Sequence, residues 1–172
     1  MFAVRATQRL LKRGAAPIAT EPAEPTNVLG DWYANVLVVR PEHLVLAVSE
    51  RTMLAVVVRA KDVRGLPNRI AQAAREVLLA IGVAPSVIER EIEEMQSATF
   101  AKTKDRRVLG GLSDFMFQLD YAYHAHPEFS LLDHALRLTR TPSGVIEHVF
   151  PDKAARALFE AAALVRRAKS AV

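Results

Sequence analysis

Residues 33–60 read YANVLVVRPEHLVLAVSERTMLAVVVRA, and this stretch decides the fold class. It holds three runs rich in β-branched residues, which are typical of buried strands, separated by the turn-like segments PEH and ERT. Short connections of this kind join antiparallel strands, because a parallel crossover needs about a dozen residues or more. The stretch therefore predicts a consecutive antiparallel meander with strands at residues 33–39, 44–49 and 53–59.

Working outward from the meander, strand-like runs also stand at residues 2–6 and 97–103, and VIEHVF at residues 145–150 has the character of a last strand. Between and after these runs, apolar residues spaced three and four apart indicate helices. The sequence therefore predicts an α+β fold, with a single antiparallel sheet of about four to six strands and helices packed on it. We expect one domain over residues 1–172, in which residues 15–27 form a proline-rich loop.

The helix predicted at residues 112–123 carries apolar residues on two sides. Phe115 belongs to one stripe, and Phe117 and Tyr121 belong to the other. A helix that is apolar on two sides is normally buried. We expect Ser113 to be its N-cap, the preceding glycine pair to form a turn, and the helix to pack against the meander. Residues 127–172 are expected to form a helical extension at the C-terminus.

The composition excludes several classes of protein. The chain has 172 residues and no cysteine, which excludes a disulfide scaffold, a thiolate metal site and a cysteine nucleophile. No apolar run approaches the roughly 20 residues that span a bilayer, and we expect a cytoplasmic protein. The net charge of +4 and the pI of about 9.7 permit an anionic partner without requiring one.

The histidines do not form a metal-binding motif. His124 and His126 make an H-x-H pair, but no H-E-x-x-H sequence accompanies them. The pair falls at the predicted end of a helix, where histidine interacts favourably with the helix dipole. The sequence also lacks G-x-S-x-G, S-x-x-K and Walker signatures. We therefore predict no metal, no cofactor and no catalytic residue.

The segment KTKDRRVLGGLSD at residues 102–114 is the strongest candidate for an anion site. Its cations precede a glycine pair and a predicted helix start, where backbone N–H groups attract anions. The alternative is that the glycines shape a turn and the cations are solvated. The candidate binding residues of this segment are Lys102, Lys104, Arg106, Arg107, Gly110, Gly111 and Asp114.

A second group of candidate binding residues lies at the start of the meander, in the segment LGDWYAN at residues 29–35. Asp31 can accept hydrogen bonds from the following backbone amides, as in an Asx-turn, which makes the segment a simple strand start. Asn35 shares a face with Tyr33, and a buried amide needs partners. Asn35 therefore either ties to a loop or points into a polar pocket. In the second case, Asp31, Tyr33 and Asn35 line a site opposite the basic segment.

Two motifs in these segments carry a family resemblance. LGDWYAN at residues 29–35 and RRVLGGLSD at residues 106–114 resemble the L-G-D-W-x-A-N and R-x-V-L-G-x-x-x-D motifs of a family of small, uncharacterised bacterial proteins, a domain of unknown function. Gly111 and Ser113 stand where that family carries serine and asparagine, so no role passes to these two side chains. The resemblance implies no activity, and it supports only the fold and the choice of segments.

Two function classes follow. The first is a binding or interaction module for an anionic partner, which is a nucleic acid, a nucleotide or a protein. The alternative is a small enzyme acting on a phosphorylated substrate or nucleic acid, with Asp31 as acid or base and Arg106 or Arg107 as an electrostatic clamp. The first class is preferred because no catalytic signature is present. Convergence of Asp31, Asn35 and the arginines in one pocket would favour the enzyme.

Overall fold

A computed structural model describes residues 1–14 and 16–170. The first residue of the predicted proline-rich loop and the last two residues of the predicted C-terminal extension lie outside the described residues. Six strands form one sheet in the order β2-β6-β1-β3-β4-β5. The strands are β1 (Phe2–Ala6), β2 (Ile18–Ala19), β3 (Trp32–Val38), β4 (His43–Ser49), β5 (Ala55–Arg59) and β6 (Ala98–Lys102).

The meander is confirmed, but the sheet as a whole is mixed. Strands β3, β4 and β5 pair antiparallel in sequence order, with Tyr33 opposite Val48 and Val48 opposite Ala55. Strand β1 instead pairs parallel with β3 and β6, and β2 pairs parallel with β6. The prediction of a purely antiparallel sheet is therefore wrong. The short turns specify only the meander, whereas the longer connections allow parallel neighbours.

Within the described residues, six α-helices and one short 3-10 helix accompany the sheet. The α-helices are α1 (Gln8–Leu11), α2 (Leu66–Ala80), α3 (Pro85–Glu94), α4 (Arg106–Ala125), α5 (Leu131–Thr139) and α6 (Pro151–Ser170). Helices α2 and α5 contact β5, and α4 contacts β3 and β4. One hydrophobic cluster extends through the chain from Phe2 to Phe159. Among the residues described, no helix combines the length and the apolar content that crossing a bilayer requires.

The last predicted strand does not form. Residues Gly144–Ile146 make the 3-10 helix, and only an isolated bridge joins Ser143 to Val149. Glu147 and His148 have φ angles of 56° and 60°, in the left-handed region. An extended strand cannot pass through two such residues, so the segment turns back on itself.

Helix α4 begins earlier than predicted. Its N-cap is Asp105, whose side chain accepts hydrogen bonds from the N–H groups of Arg107 and Val108. Gly110 and Gly111 lie inside the helix and do not form a turn. The Ser113 hydroxyl donates to the Leu109 carbonyl at 3.0 Å, which is a bond within the helix and not a cap. Asp105 and Ser113 are both favourable N-cap residue types, and the helix starts at the first of them.

The packing of α4 is confirmed on one side only. Leu112, Phe115 and Leu119 are buried in the core. Phe117 and Tyr121, which were expected to be buried, are 79% and 69% exposed. The second apolar stripe therefore faces solvent, because the sheet covers only one side of the helix.

Candidate functional site

A buried ion pair links the start of β3 to β1. Arg5 Nε donates to Asp31 Oδ2 at 2.6 Å, and the two side chains are 7% and 2% exposed. The Ala3 N–H donates to the other Asp31 oxygen at 2.8 Å, and Arg5 Nη1 donates to the Lys102 carbonyl at 3.3 Å. Asp31 therefore fastens strand β1 and does not form the expected Asx-turn with the amides that follow it.

The loop before Asp31 is held by a buried carboxylate on α3. Glu91 accepts hydrogen bonds from the backbone N–H groups of Val28 and Leu29 and from the Asn27 side chain. Burial raises the pKa of Glu91, and these three donors partly offset the effect. Gly30 has a φ of 76°, a conformation that favours glycine, so the chain turns there into β3.

Tyr33 and Asn35 are occupied by contacts within the fold. The Tyr33 hydroxyl accepts a hydrogen bond from the Asp105 N–H at 3.2 Å, just before α4. Burial is the main cause that raises the pKa of Tyr33. The Asn35 Oδ1 accepts from the Thr7 hydroxyl at 2.7 Å and from the Val36 N–H at 2.8 Å. Of the two alternatives for Asn35, the structure therefore favours the tie to a neighbouring segment.

A cleft of about 610 Å³ lies where strands β1, β2 and β6 end, and we name it the β6 cleft. Its lining includes the buried Arg5–Asp31 pair together with Lys102 and Lys104. Residues 18–25 of the proline-rich loop line it as well. The full lining is Arg5, Asp31, Glu50, residues 18–25 and residues 101–104.

A second cleft, of about 340 Å³, runs between the first turns of α4 and residues 142–145, and we name it the α4 groove. Five of the predicted site residues line it, and three others line the β6 cleft. Those of the α4 groove are Arg106, Arg107, Gly110, Gly111 and Asp114. Those of the β6 cleft are Asp31, Lys102 and Lys104. Tyr33 and Asn35 line neither, so the structure divides the other eight predicted residues between these two clefts.

The predicted anion position at residue 112 is not a helix start. Residues 110–112 lie in the interior of α4, where backbone N–H groups bond to carbonyls one turn earlier. At the true start, the Asp105 carboxylate already accepts from two N–H groups. An acidic N-cap supplies the negative charge that this end of a helix attracts. An anion near α4 would therefore depend on side chains rather than on free backbone amides.

Arg5 and Glu50 are among the residues of the β6 cleft that were missed in the sequence. Arg5 stands inside the apolar run FAVRA, and a charged residue within a buried strand requires a partner. That pattern was a usable signal for a buried acid nearby. Glu50 accepts a hydrogen bond from the Asp31 N–H at 3.1 Å, and no local pattern indicates this contact.

The histidines lie where the sequence indicated. His124 is in the last turn of α4 and His126 caps it. His126 stacks on Phe129 with ring centroids 4.5 Å apart, and burial lowers the pKa of His134, which packs against the same ring. Within residues 1–14 and 16–170, His, Asp and Glu side chains do not gather in threes as a metal site requires. The absence of a metal stays a prediction.

Comparison with known proteins gives a family but no activity. No curated protein and no solved structure matches the chain. A family model described as "Domain of unknown function (DUF6933)" matches residues 3–154, which include strands β2 to β6, all but the first residue of β1, both clefts and the Arg5–Asp31 pair. Because the match covers most of the chain, the protein belongs to the DUF6933 family of domains of unknown function.

Proposed function

We propose that the chain is a binding module whose β6 cleft takes a small anionic ligand of the nucleotide class. The observation that carries this proposal is the position of Lys102 and Lys104. Both are exposed cations at or just after the carboxyl end of β6, and both line the β6 cleft. Ligands of sheets with parallel strands bind outside the carboxyl ends of those strands, which is where this cleft lies.

The size and charge of the cleft support a small ligand over a nucleic acid. Its volume of about 610 Å³ falls within the roughly 300–1,000 Å³ typical of small-molecule sites. Arg5 and Asp31 neutralise each other, which leaves the cations of Lys102 and Lys104 and the carboxylates of Glu21, Glu24 and Glu50 in the lining. A mixed lining of this kind suits a ligand that joins an anionic group to hydrogen-bond donors, as a nucleotide does.

The enzyme alternative has no matching geometry. It requires Asp31 to face Arg106 or Arg107, but these arginines line the α4 groove and Asp31 lines the β6 cleft. Asp31 is also committed to Arg5 and to the Ala3 N–H. We therefore propose binding without a reaction.

The test compares two double variants that remove the same amount of charge. Nucleoside mono-, di- and triphosphates and short oligonucleotides are titrated by calorimetry against the wild type, Lys102→Ala/Lys104→Ala and Arg106→Ala/Arg107→Ala. We expect the lysine variant to bind a nucleotide about tenfold or more weakly, because charge-assisted contacts are lost, and the arginine variant to bind like the wild type. All these side chains are exposed, so melting temperatures should change little.

The salt dependence distinguishes the ligand classes. A small ligand in a cleft should lose affinity only mildly as salt rises, whereas a nucleic acid should show the steep dependence of counterion release. Absence of any nucleotide binding, or equal binding by the wild type and the lysine variant, would reject the β6 cleft as the site.

A further inference from the structure

The solvent side of α4 carries an exposed aromatic ridge. Phe117 and Tyr121 stand one turn apart and are 79% and 69% exposed. A single exposed apolar residue is ordinary, but adjacent aromatic rings on one helix face form a patch of the kind that marks an interaction surface. The α4 helix therefore presents two faces, one packed on the sheet and one that no part of the described chain covers.

Gly110 lies on the same solvent side, and the fold gives no packing reason for it. A Cβ atom at Gly111 would meet Val145 and Met53 at 2.6 and 2.7 Å, so that glycine permits close packing. A Cβ atom at Gly110 would meet nothing within 4 Å. Glycine in the interior of a helix destabilises that helix, but it lets another group approach the backbone closely. Gly110 leaves a shallow notch on the exposed face of α4.

The ridge and the notch are spaced along α4 so that the ridge of one copy would lie opposite the notch of a second copy. Gly110 and Phe117 are seven residues apart, about two helical turns, so they lie on one side of the helix. Arg106 and Asp120 are fourteen residues apart, about four turns, and lie on that side as well. The midpoint between Arg106 and Asp120 is Ser113. The midpoint between Gly110 and Phe117 lies half a residue beyond Ser113. One two-fold axis near Ser113 therefore brings each residue opposite its complement.

From this self-complementarity we infer that two copies of the chain associate through an antiparallel α4–α4 contact. Phe117 of each copy covers Gly110 of the other, and Arg106 of each copy pairs with Asp120 of the other. Every contact occurs twice, as a two-fold interface requires. Tyr121 lies beside the same arginine and adds a cation–π contact. A parallel arrangement would place like charges together at both ends. The inference is independent of the ligand proposed for the β6 cleft.

The first test measures association of the full chain by sedimentation equilibrium across the micromolar range. We expect a concentration-dependent dimer. Phe117→Ala should raise the dimer Kd about thirtyfold, since buried aromatic residues dominate such interfaces. Gly110→Leu fills the notch, and because its Cβ atom meets no atom of the chain within 4 Å, it should weaken the dimer similarly. The matched control is Leu79→Ala, which removes an exposed apolar side chain on α2 and should leave the Kd unchanged.

A charge exchange tests the register. Arg106→Asp and Asp120→Arg should each raise the Kd about tenfold, because each places like charges opposite one another. The double variant Arg106→Asp/Asp120→Arg restores opposite charges and should recover the wild-type Kd. All positions are exposed, and circular dichroism would confirm that each variant is folded. A wild type that stays monomeric, a dimer that Phe117→Ala and Gly110→Leu leave unchanged, or a double variant weaker than both single variants would overturn the inference.

Discussion

Arg5 and Asp31 show how a single polar pair organises the start of the sheet. Both side chains are nearly inaccessible, and Asp31 also accepts from the Ala3 N–H, so the pair and its hydrogen bonds join β1 to β3. A buried ion pair stabilises a fold weakly compared with an apolar pair of the same volume, but loss of one partner is severe. The pair therefore fixes how β1 sits on β3 more than it adds stability.

We predict that Asp31→Asn lowers the free energy of unfolding by about 3–5 kcal/mol, because it leaves the Arg5 charge buried without a counter-charge. Glu42→Gln is the matched control, since Glu42 pairs with Arg59 at the surface, where such pairs contribute at most about 1 kcal/mol. Urea unfolding at neutral pH measures both. Similar losses of unfolding free energy in the two variants would show that the Arg5–Asp31 pair is not effectively buried.

At the scale of the element, α4 places two adjacent glycines in opposite surroundings. Gly111 faces the 3-10 segment and Met53, and Gly110 faces open space. Gly111 permits the helix to pack closely on these neighbours. Gly110 has no such role within one chain, and there it only destabilises the helix. The two positions therefore provide an internal comparison of packing with helix propensity.

We predict opposite effects of the same substitution at these neighbours. Gly110→Ala should raise the free energy of unfolding by up to about 1 kcal/mol, since alanine favours a helix and meets no atom. Gly111→Ala should lower it by about 1–3 kcal/mol, because the added carbon collides with Val145 and Met53. Thermal and urea unfolding at low protein concentration measure both. A stabilising Gly111→Ala would mean that the contact relaxes freely.

At the scale of the whole molecule, the folded unit extends beyond the family match. The match ends at residue 154, whereas α6 buries Ala155 and Phe159 in the core. The later turns of α6 are largely exposed, and Leu164 is 65% accessible. The first turns of α6 therefore belong structurally to the packed core, and its second half does not.

We predict that Phe159→Ala destabilises the protein by about 3–5 kcal/mol, as removal of a buried ring usually does. Leu164→Ala on the same helix should change the stability by no more than about 0.5 kcal/mol, because its side chain is exposed. Equilibrium unfolding in urea compares them directly. A small effect at Phe159 would place all of α6 outside the cooperative unit.

Much of the fold was predictable because its signals are local. The strands at residues 33–59 follow from β-branched runs and short turns, and the H-x-H pair at the end of a helix follows from the proline after it. The start of α4 was mistaken because two N-cap residues, Asp105 and Ser113, lie eight positions apart. The glycine pair between them resembles a turn, and only the folded chain shows that Gly111 lies inside the helix, where a Cβ atom would collide with Met53 and Val145.

The sequence drew attention to residues that line the two clefts, but it did not indicate how these residues are grouped. Turn chemistry and apolar periodicity depend on neighbours in the chain, so most strands and helices could be read from the amino acids, but the short strand β2 inside the predicted proline-rich loop could not. The parallel pairing of β1 with β3 and β6, and the contact of Arg5 with Asp31 and Lys102, join residues 26 to 97 positions apart. Such contacts depend on which strands close against one another and on what the core can bury. For that reason the division of the predicted residues between the β6 cleft and the α4 groove emerged only from the folded chain.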